Sequence, residues 1–328
     1  MLDATLAALA RLRGHDAVAL SQGLSAENAE ACLAQAIRPF NRSSLGAACD
    51  AAGPLPDVIA IVVPAGVFTT PIEWTAIATA SGAAVHLKAP ASDPALCRAL
   101  SAAFCAEGLH VTWSTERSLP VVDAIIAFGE DSTLETIARA HPDTPVTRFG
   151  HRFSVAVVGG DPAAAAGPLA VDLARYDGRG CMAPTAVFTT ADPSALGEAL
   201  AKQMMAMEQR TPRGKVDGRL GPEWRRRLGL ARVLGEVWTG AQWAVTTAPL
   251  QHFVPSSLPR MVNIHPVNSL DELRQTLKPW TAWLSTLGTD MPDLSIEGFH
   301  RVCPLGWMQA PPIPRTHDGQ QMLAGLIR

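Results

Sequence analysis

Cys181 lies in a glycine-rich turn, Asp177-Gly-Arg-Gly-Cys-Met-Ala-Pro184, between a predicted helix and a predicted strand. Small residues beside the thiol would let a substrate carbonyl approach it, and backbone N–H groups in such a turn can stabilise an oxyanion. Arg179 would favour the thiolate, which is the nucleophilic form of cysteine. On local pattern alone the turn predicts a nucleophilic cysteine and an inert thiol about equally well.

The remaining cysteines fit structural positions better. Four of them fall on predicted helices or in an apolar run, where a buried and unreactive thiol is expected: Cys32, Cys97, Cys105 and Cys303. Cys49 gives no signal. No Cys or His spacing matches a zinc site, so no metal is predicted.

Two glycine turns and one lysine follow predicted strands in the first half of the chain. Gly66 and Gly129 stand at the ends of apolar runs, and ligands bind at the carboxyl ends of parallel strands, where helix N-termini favour phosphate. Neither turn has the GxGxxG pattern, and plain chain reversal is the alternative for each. Lys88 ends another apolar run, where its ammonium would either bind a ribose hydroxyl or phosphate or lie in solvent.

His317 belongs to the polar cluster His317-Asp-Gly319 in a C-terminal segment rich in Pro and Gly. Loops of this kind often carry functional residues, although a surface turn is the simpler interpretation of the pattern. The sequence contains no GxSxG, P-loop or paired-carboxylate motif.

Alternating strands and helices must position these residues. Apolar strands are predicted in the first half at 58–63, 84–88 and 124–128. Helices are predicted after them at 70–81, 95–108 and 134–140. Fully apolar strands indicate burial on both faces, so the repeated pattern predicts a doubly wound, mostly parallel α/β sheet. After about residue 150 the pattern changes but stays α/β, with strands at 154–158 and 186–190 around a helix at 162–176.

Composition limits the class of protein. The 328 residues allow about two domains, and 48% hydrophobic with 17% charged residues suffices for sizeable cores. A net charge of −3 argues against a nucleic-acid partner, and the basic stretch 209–227 is predicted as a solvated surface. The most apolar stretch, Val58–Phe68, is shorter than the ~20 residues of a membrane span. With no signal-peptide features at the N-terminus, a cytoplasmic protein is expected.

Several segments, in this order, resemble the aldehyde dehydrogenase superfamily, and within it the fatty acyl-CoA reductase family of bacterial bioluminescence. The resemblance is most specific at Asp172–Pro184 and at the Phe-Gly-His turn that opens Phe149–Val158. Other segments that carry it are Ala84–Pro90, Ile126–Ser132, Arg260–Val267, Leu284–Gly288, Arg301–Pro304 and His317–Gly319. It spans roughly residues 55–325. It implies a Rossmann-type dinucleotide-binding domain with a helical N-terminal segment at 1–149, a catalytic thiol domain at 150–310, and a C-terminal segment at 311–328 packing back near the active site.

The resemblance also implies an activity, the reduction of an acyl-CoA thioester to a fatty aldehyde with release of CoA. Cys181 would carry the acyl group, and NADPH, or alternatively NADH, would supply the hydride. Lys88 matches a lysine that contacts the cofactor's ribose and phosphate. Gly129 and Ser132 match the turn near its pyrophosphate. Gly66 and Gly150 are the other expected cofactor-binding residues, and His317 is the second expected catalytic residue.

Three departures from the superfamily refine this expectation. Val146–Gly150 lacks the Glu with which hydrolytic aldehyde dehydrogenases activate water, which favours CoA chemistry. Pro64–Phe68 lacks the Asn that donates to the oxyanion, and Ala91 replaces an acidic residue of NAD-preferring members, so a 2′-phosphate is tolerated. The alternatives are a non-CoA aldehyde dehydrogenase, an acyl-phosphate reductase, or a catalytically silent paralogue acting as a binding subunit. A homo-oligomer is compatible with the resemblance.

Overall fold

The chain forms two compact units, each assembled from separate parts of the sequence. The computed structural model describes residues 1–21, 23–255, 258–323 and 326. The first unit comprises Met1–Gln22, Ala29–His151 and Pro311–Arg328. The second comprises Gly23–Asn28 and Arg152–Ala310. Both units are α/β, as the sequence predicts.

A fully parallel sheet forms the centre of the first unit. Its strands are β1 (Val58–Val62), β2 (Ala84–Lys88), β3 (Val111–Ser114), β4 (Ala124–Phe128) and β5 (Val146–Phe149). The strand order is β3-β2-β1-β4-β5, and every neighbouring pair is parallel. The chain therefore winds in one direction from β1 to β3 and in the other from β4 to β5. This reversal makes the gap between β1 and β4 a topological switch point, where ligands of doubly wound folds bind.

In the described part of the chain, helices precede and connect these strands, and the last three of those helices contact the sheet. They are α1 (Leu2–Arg13), α2 (Ala17–Leu20), α3 (Ala26–Ile37), α4 (Arg42–Ala52), α5 (Thr70–Ala80), α6 (Ala95–Cys105) and α7 (Asp131–Ala140). Helix α5 is buried along nearly its whole length, including Trp74. Because its buried residues lie on all sides, α5 shows no single apolar stripe.

The second unit contains a seven-stranded sheet. Its strands are β6 (Phe153–Val158), β7 (Pro184–Thr189), β8 (Val237–Thr239), β9 (Ala244–Thr247), β10 (Met261–Pro266), β11 (Leu284–Thr289) and β12 (Arg301–Pro304). The order is β12-β11-β6-β7-β10-β9-β8, and within the described part of this sheet only the β8–β9 pair is antiparallel. Both β6 and β7 are buried throughout, as expected for parallel strands covered on two faces.

The helices of the second unit are α8 (Pro162–Ala174), α9 (Pro193–Arg210), α10 (Leu220–Leu234) and α11 (Leu270–Leu277). Helices α8 and α9 pack on one face of the sheet, with Leu169 and Leu200 fully buried between them and the strands. On the other face, Phe188 and Leu287 pack against Leu273 of α11. A short antiparallel pair, β13 (Thr316–His317) and β14 (Gln320–Gln321), belongs to the first unit.

Some boundaries differ from those predicted. Helix α7 begins at Asp131 rather than 134, because the chain leaves the extended conformation after Glu130, whose carbonyl accepts the hydrogen bond of the Leu134 N–H. Helix α8 ends at Ala174, two residues early, because Tyr176 has a left-handed backbone (φ 52°) that no α-helix accommodates. Cys105 was expected to be buried and is exposed, since it is the last residue of α6.

Candidate active site

The predicted cofactor residues of the first unit meet at one edge of its sheet. Val62 of β1 pairs with Lys88, and Phe128 of β4 pairs with Phe149 of β5. The turns that hold Gly66, Gly129 and Gly150 therefore follow the carboxyl ends of β1, β4 and β5, around the switch point between β1 and β4. The fold thus places these glycines and Lys88 where a doubly wound domain binds its ligand.

The turn after β4 leads directly into α7. Glu130 is the N-cap, but its side chain makes no capping hydrogen bond, and Ser132 lies in the first helical turn. A Cβ at Gly129 would meet nothing nearer than Thr133 at 3.8 Å, so the turn has room beside it. Backbone N–H groups at such a helix start can receive a phosphate, although the carboxylates of Glu130 and Asp131 at the same turn weaken the attraction.

Gly150 has a different structural reason to be glycine. A Cβ at this position would collide with the carboxylate of Asp131, which lies against the backbone at the end of β5. The end of β5 and the first turn of α7 therefore lie close together here. A side chain at Gly150 would require the exposed carboxylate of Asp131 to rotate away.

Lys88 is half-buried, and its Nζ donates a hydrogen bond to the carbonyl of Ala89 at 2.8 Å. His86, two residues earlier on the same face of β2, contacts the hydroxyls of Thr112 (2.9 Å) and Ser114 (3.2 Å). Burial, and secondarily the charge of Lys88, lower the pKa of His86. The sequence did not predict the contacts of His86 with Thr112 and Ser114, because Ala84–Lys88 has the pattern of an ordinary buried strand. The signal available was a His two residues before the Lys.

His317 lies inside an aromatic cluster of the first unit. Its ring centroid is 4.7 Å from Phe149, 5.7 Å from Trp74 and 5.9 Å from Phe128. Arg315 donates a hydrogen bond to Nδ1 at 2.7 Å, which leaves the imidazole proton on Nε2. Burial, and then the charge of Arg315, hold the pKa of His317 well below its ordinary value. The ring is therefore neutral and can offer an N–H donor from Nε2.

An ion pair fixes the arginine that contacts His317. Arg315 Nη2 lies 2.7 Å from Glu73 Oε2, and its Nε lies 3.2 Å from Oε1. Both side chains are largely buried, at 10% and 15% exposure, so the pair is shielded from screening by salt. Glu73 belongs to α5, and this contact attaches the C-terminal segment to the core of the first unit.

Cys181 lies in the second unit, in the short connection between α8 and β7. Tyr176 and Asp177 both have left-handed backbones (φ 52° and 54°), and Gly178 follows at 72°. Consecutive left-handed residues turn the chain sharply after α8 and are costly for non-glycine residues. The half-buried Cys181 follows this turn, and its carbonyl accepts a hydrogen bond of 2.6 Å from the hydroxyl of Ser154 on β6.

Buried polar contacts surround Asp177, which is fully buried. Its Oδ1 accepts from Arg260 Nε at 2.9 Å and from Asn28 Nδ2 at 3.1 Å, and Oδ2 accepts from the backbone N–H of Gly214 at 3.0 Å. Arg179, expected beside the thiol, donates instead to the carbonyls of Gly23 and Lys215 and lies 3.5 Å from Asp177. Asp177 and Arg260 belong to segments that carry the family resemblance, but the sequence predicts no role for either residue.

Two negative findings apply to the part of the chain that the structure describes. No cluster of three or more His, Cys, Asp or Glu side chains there could hold a metal ion. No helix among those residues is long and apolar enough to cross a membrane.

The combination of a doubly wound parallel unit with a second, mostly parallel unit is that of the aldehyde dehydrogenase fold. The chain belongs to the acyl-CoA reductase (LuxC) family, whose sequence profile matches residues 56–328. No curated protein sequence gave a significant match.

Solved structures support the fold. An oxidoreductase from Marinobacter aquaeolei superposes with a TM-score of 0.79 and 14% identity, covering 99% of this chain and 82% of its own. An indole-3-acetaldehyde dehydrogenase from P. syringae, a mutant in complex with NAD+ and IAA, gives 0.72 and 12%, covering 93% and 76%. A benzaldehyde dehydrogenase described as NAD-dependent, from Corynebacterium glutamicum, gives 0.69 and 14%, covering 94% and 82%. At these identities the likeness establishes the aldehyde dehydrogenase fold.

Proposed function

We propose that this protein reduces an acyl-CoA to the corresponding aldehyde, using NADPH or NADH, through an acyl thioester on Cys181. Membership of the acyl-CoA reductase family carries the proposal, because it supplies the substrate class. The position of Cys181, half-buried in a tight turn before a buried strand, is consistent with a nucleophile presented from a rigid element.

The proposed reaction consists of an acyl transfer to Cys181 followed by a hydride transfer to the acyl group. The Cys181 thiolate attacks the thioester carbonyl, the bond to the CoA sulfur breaks, and CoA leaves as a thiolate that takes up a proton. A reduced nicotinamide, when bound, would supply a hydride to the acyl carbon of the enzyme-bound thioester. Cleavage of the carbon–sulfur bond to Cys181 would then release the aldehyde and regenerate the thiolate.

The residues of the first unit fit a nicotinamide dinucleotide. The switch point, the uncapped start of α7 and the polar group around Lys88 offer donors for phosphates and a ribose. Lys88, Gly66, Gly129, Ser132 and Gly150 are the residues we assign to this site. NADPH is the first choice, because Ala91 leaves no carboxylate to repel a 2′-phosphate.

The role of His317 follows from its neutral state. An imidazole whose Nδ1 accepts from Arg315 holds a proton on Nε2 and can donate it as a hydrogen bond. Because the pKa of His317 is far below neutrality, it would act as a donor to substrate or cofactor rather than as a cation. We therefore propose that it positions a carbonyl or amide group.

Acyl transfer to Cys181 provides the direct test. Incubation with radiolabelled acyl-CoA without reductant should place about one label per chain on Cys181, released by hydroxylamine as expected for a thioester. Cys181→Ser should lose the hydroxylamine-labile label, because an oxygen ester resists that treatment far better. Cys105→Ser is the matched control, since it changes an exposed thiol of the other unit and should leave labelling intact. Undiminished labile label in Cys181→Ser would reject the proposal.

A product assay separates the proposal from a non-CoA aldehyde dehydrogenase. That alternative draws on the fold shared with aldehyde dehydrogenases. With acyl-CoA and NADPH, the proposal predicts equal amounts of aldehyde and free CoA and little free acid. If aldehyde is instead oxidised to acid equally fast with and without CoA, the aldehyde dehydrogenase alternative is correct.

A further inference from the structure

We propose that Asp177 and Ser154 are positioning residues that hold the Cys181 turn at its two ends. The inference rests on the proposed role of Cys181 as the acyl-carrying nucleophile. Neither side chain needs to touch substrate for this role. They act on the backbone on either side of the thiol.

Asp177 holds the upstream end. Its left-handed backbone is unfavourable for a residue with a Cβ, so the surrounding contacts must maintain it. The carboxylate is bound by Arg260, Asn28 and the N–H of Gly214, while the Asp177 carbonyl accepts from the backbone N–H of Arg260 at 3.3 Å. Arg260 is itself left-handed (φ 51°) and fully buried. Two strained residues thus fix each other through both backbone and side chain.

Ser154 holds the downstream end, at a place where two strand ladders are irregular. The β6–β7 register shifts between Ser154 and Ala156, and the β6–β11 register shifts between Leu284 and Leu287. Bulges leave backbone groups without ladder partners and often redirect a side chain next to a functional site. The Ser154 hydroxyl accepts from Thr286 N–H at 2.9 Å and donates to the Cys181 carbonyl at 2.6 Å.

These two attachments fix the direction in which Cys181 presents its sulfur. The turn between them spans only residues 177–181, so holding both ends leaves little freedom for the peptide that carries the thiol. A displacement of about 1 Å at a reacting group can cost about 10²-fold in rate. Loosening either end should therefore slow acyl transfer to Cys181 and leave binding of the substrate nearly unchanged.

A matched pair of hydroxyl deletions tests this. Ser154→Ala removes the hydroxyl that bridges Thr286 and Cys181. Thr189→Val removes an equally buried hydroxyl at the far end of β7, which donates to Val158 O at 2.9 Å and accepts from Ala191 N–H at 3.0 Å. Both variants lose the same kind of bridge, so their melting temperatures should fall by similar amounts.

Single-turnover acylation, steady-state kcat and KM, and the rate of Cys181 alkylation by iodoacetamide are then measured. Ser154→Ala should lower the acylation rate and kcat about 10–100-fold and change the alkylation rate, with KM within about threefold of wild type. Thr189→Val should keep all of these near wild type. Equal losses in both variants, or no loss in Ser154→Ala, would overturn the positioning role.

Asp177→Asn supplies a second variant for the upstream end, because it keeps the shape and removes the charge that Arg260 binds. It should lower the acylation rate in the same way, and a wild-type rate in a folded Asp177→Asn protein would remove Asp177 from the proposal. A wrong proposed function can be told apart from a wrong positioning role. If the function is wrong, the wild-type protein itself acquires no acyl label at Cys181, whatever the alkylation rates of the variants.

Discussion

Replacing Arg260 by Met is the most demanding test of the buried polar network. The Arg260 and Asp177 side chains are both 0% exposed, and their ion pair has a separation of 2.9 Å. Without the guanidinium, Asp177 keeps only Asn28, Gly214 and the distant Arg179 as hydrogen-bonding partners. Breaking a buried ion pair destabilises a protein by about 3–5 kcal/mol, and because Arg179 remains 3.5 Å from Asp177 we expect a cost near the lower end of that range.

The expected magnitude also follows from Coulomb's law. Two unit charges about 4 Å apart attract by roughly 4 kcal/mol at an effective dielectric constant of about 20. If charge is the cause, removing both charges in Arg260→Met with Asp177→Asn should cost much less than the sum of the single changes. We expect a coupling of at least about 2 kcal/mol in this double-mutant cycle.

Urea unfolding followed by circular dichroism measures these differences, with constant m-values as the condition for comparing free energies. Arg11→Met is the control, because the Arg11–Glu107 pair lies at the surface, with Arg11 58% exposed, and such pairs contribute about 0–1 kcal/mol. A cost below about 1 kcal/mol for Arg260→Met, or strict additivity in the cycle, would refute the argument.

Further predictions concern the first unit. Lys88→Ala should raise the KM for the reduced cofactor several-fold more than that for acyl-CoA, and an unchanged cofactor KM would remove Lys88 from the site. Gly150→Ala should cost less than about 1 kcal/mol, because the exposed Asp131 carboxylate can rotate away from the added methyl group; urea unfolding checks it, and a cost of several kcal/mol would contradict it. The acyl-enzyme should hydrolyse slowly without hydride or CoA, because Val146–Gly150 offers no carboxylate and a general base is worth about 10²–10⁴-fold; rapid release of labelled acid would contradict this. The lowered pKa of His317 means that the unfolded chain binds a proton below about pH 6.5 and the folded chain does not. His317 should therefore reduce stability as pH falls below 6.5, and His317→Phe should flatten the decline seen in unfolding curves at pH 5–7.

Sequence patterns predicted the secondary-structure elements whose own residues carry a clear signal. The strands β1 and β4 are uninterrupted apolar runs, β2 is largely apolar, and all three form essentially where predicted. Helix α4 was missed because its first turn is polar, although its capping box between Asn41 and Ser44 was a usable signal. Strand β12 was not predicted as a strand, although its residues carry the resemblance. Its four residues are too few to establish an alternation of apolar and polar side chains.

In the candidate site, too, the sequence predicts residues that depend on local pattern and not those that depend on long-range contacts. Local sequence predicts Gly66, Gly129 and Lys88 at strand ends, where the fold has them, and the resemblance alone adds Gly150; their role in cofactor binding stays a prediction. Ser154 and Arg260 were not assigned roles, since the first acts on a residue 27 positions away and the second on one 83 positions away. No single sequence records such a pairing. Only the fold shows that a serine at a bulge and an arginine before β10 converge on the same turn.

The interleaving of the two units along the chain has a consequence for the newborn protein on the ribosome. The aromatic cluster of Trp74, Phe128 and Phe149 is synthesised early, but His317 completes it from beyond residue 310. At about 5–20 residues per second, synthesis of the intervening stretch, Arg152–Ala310, takes roughly 8–30 s. During that interval the three rings lack their contacts with His317, so we expect the aromatic cluster to reach its final packing only after the C-terminal segment has left the ribosome.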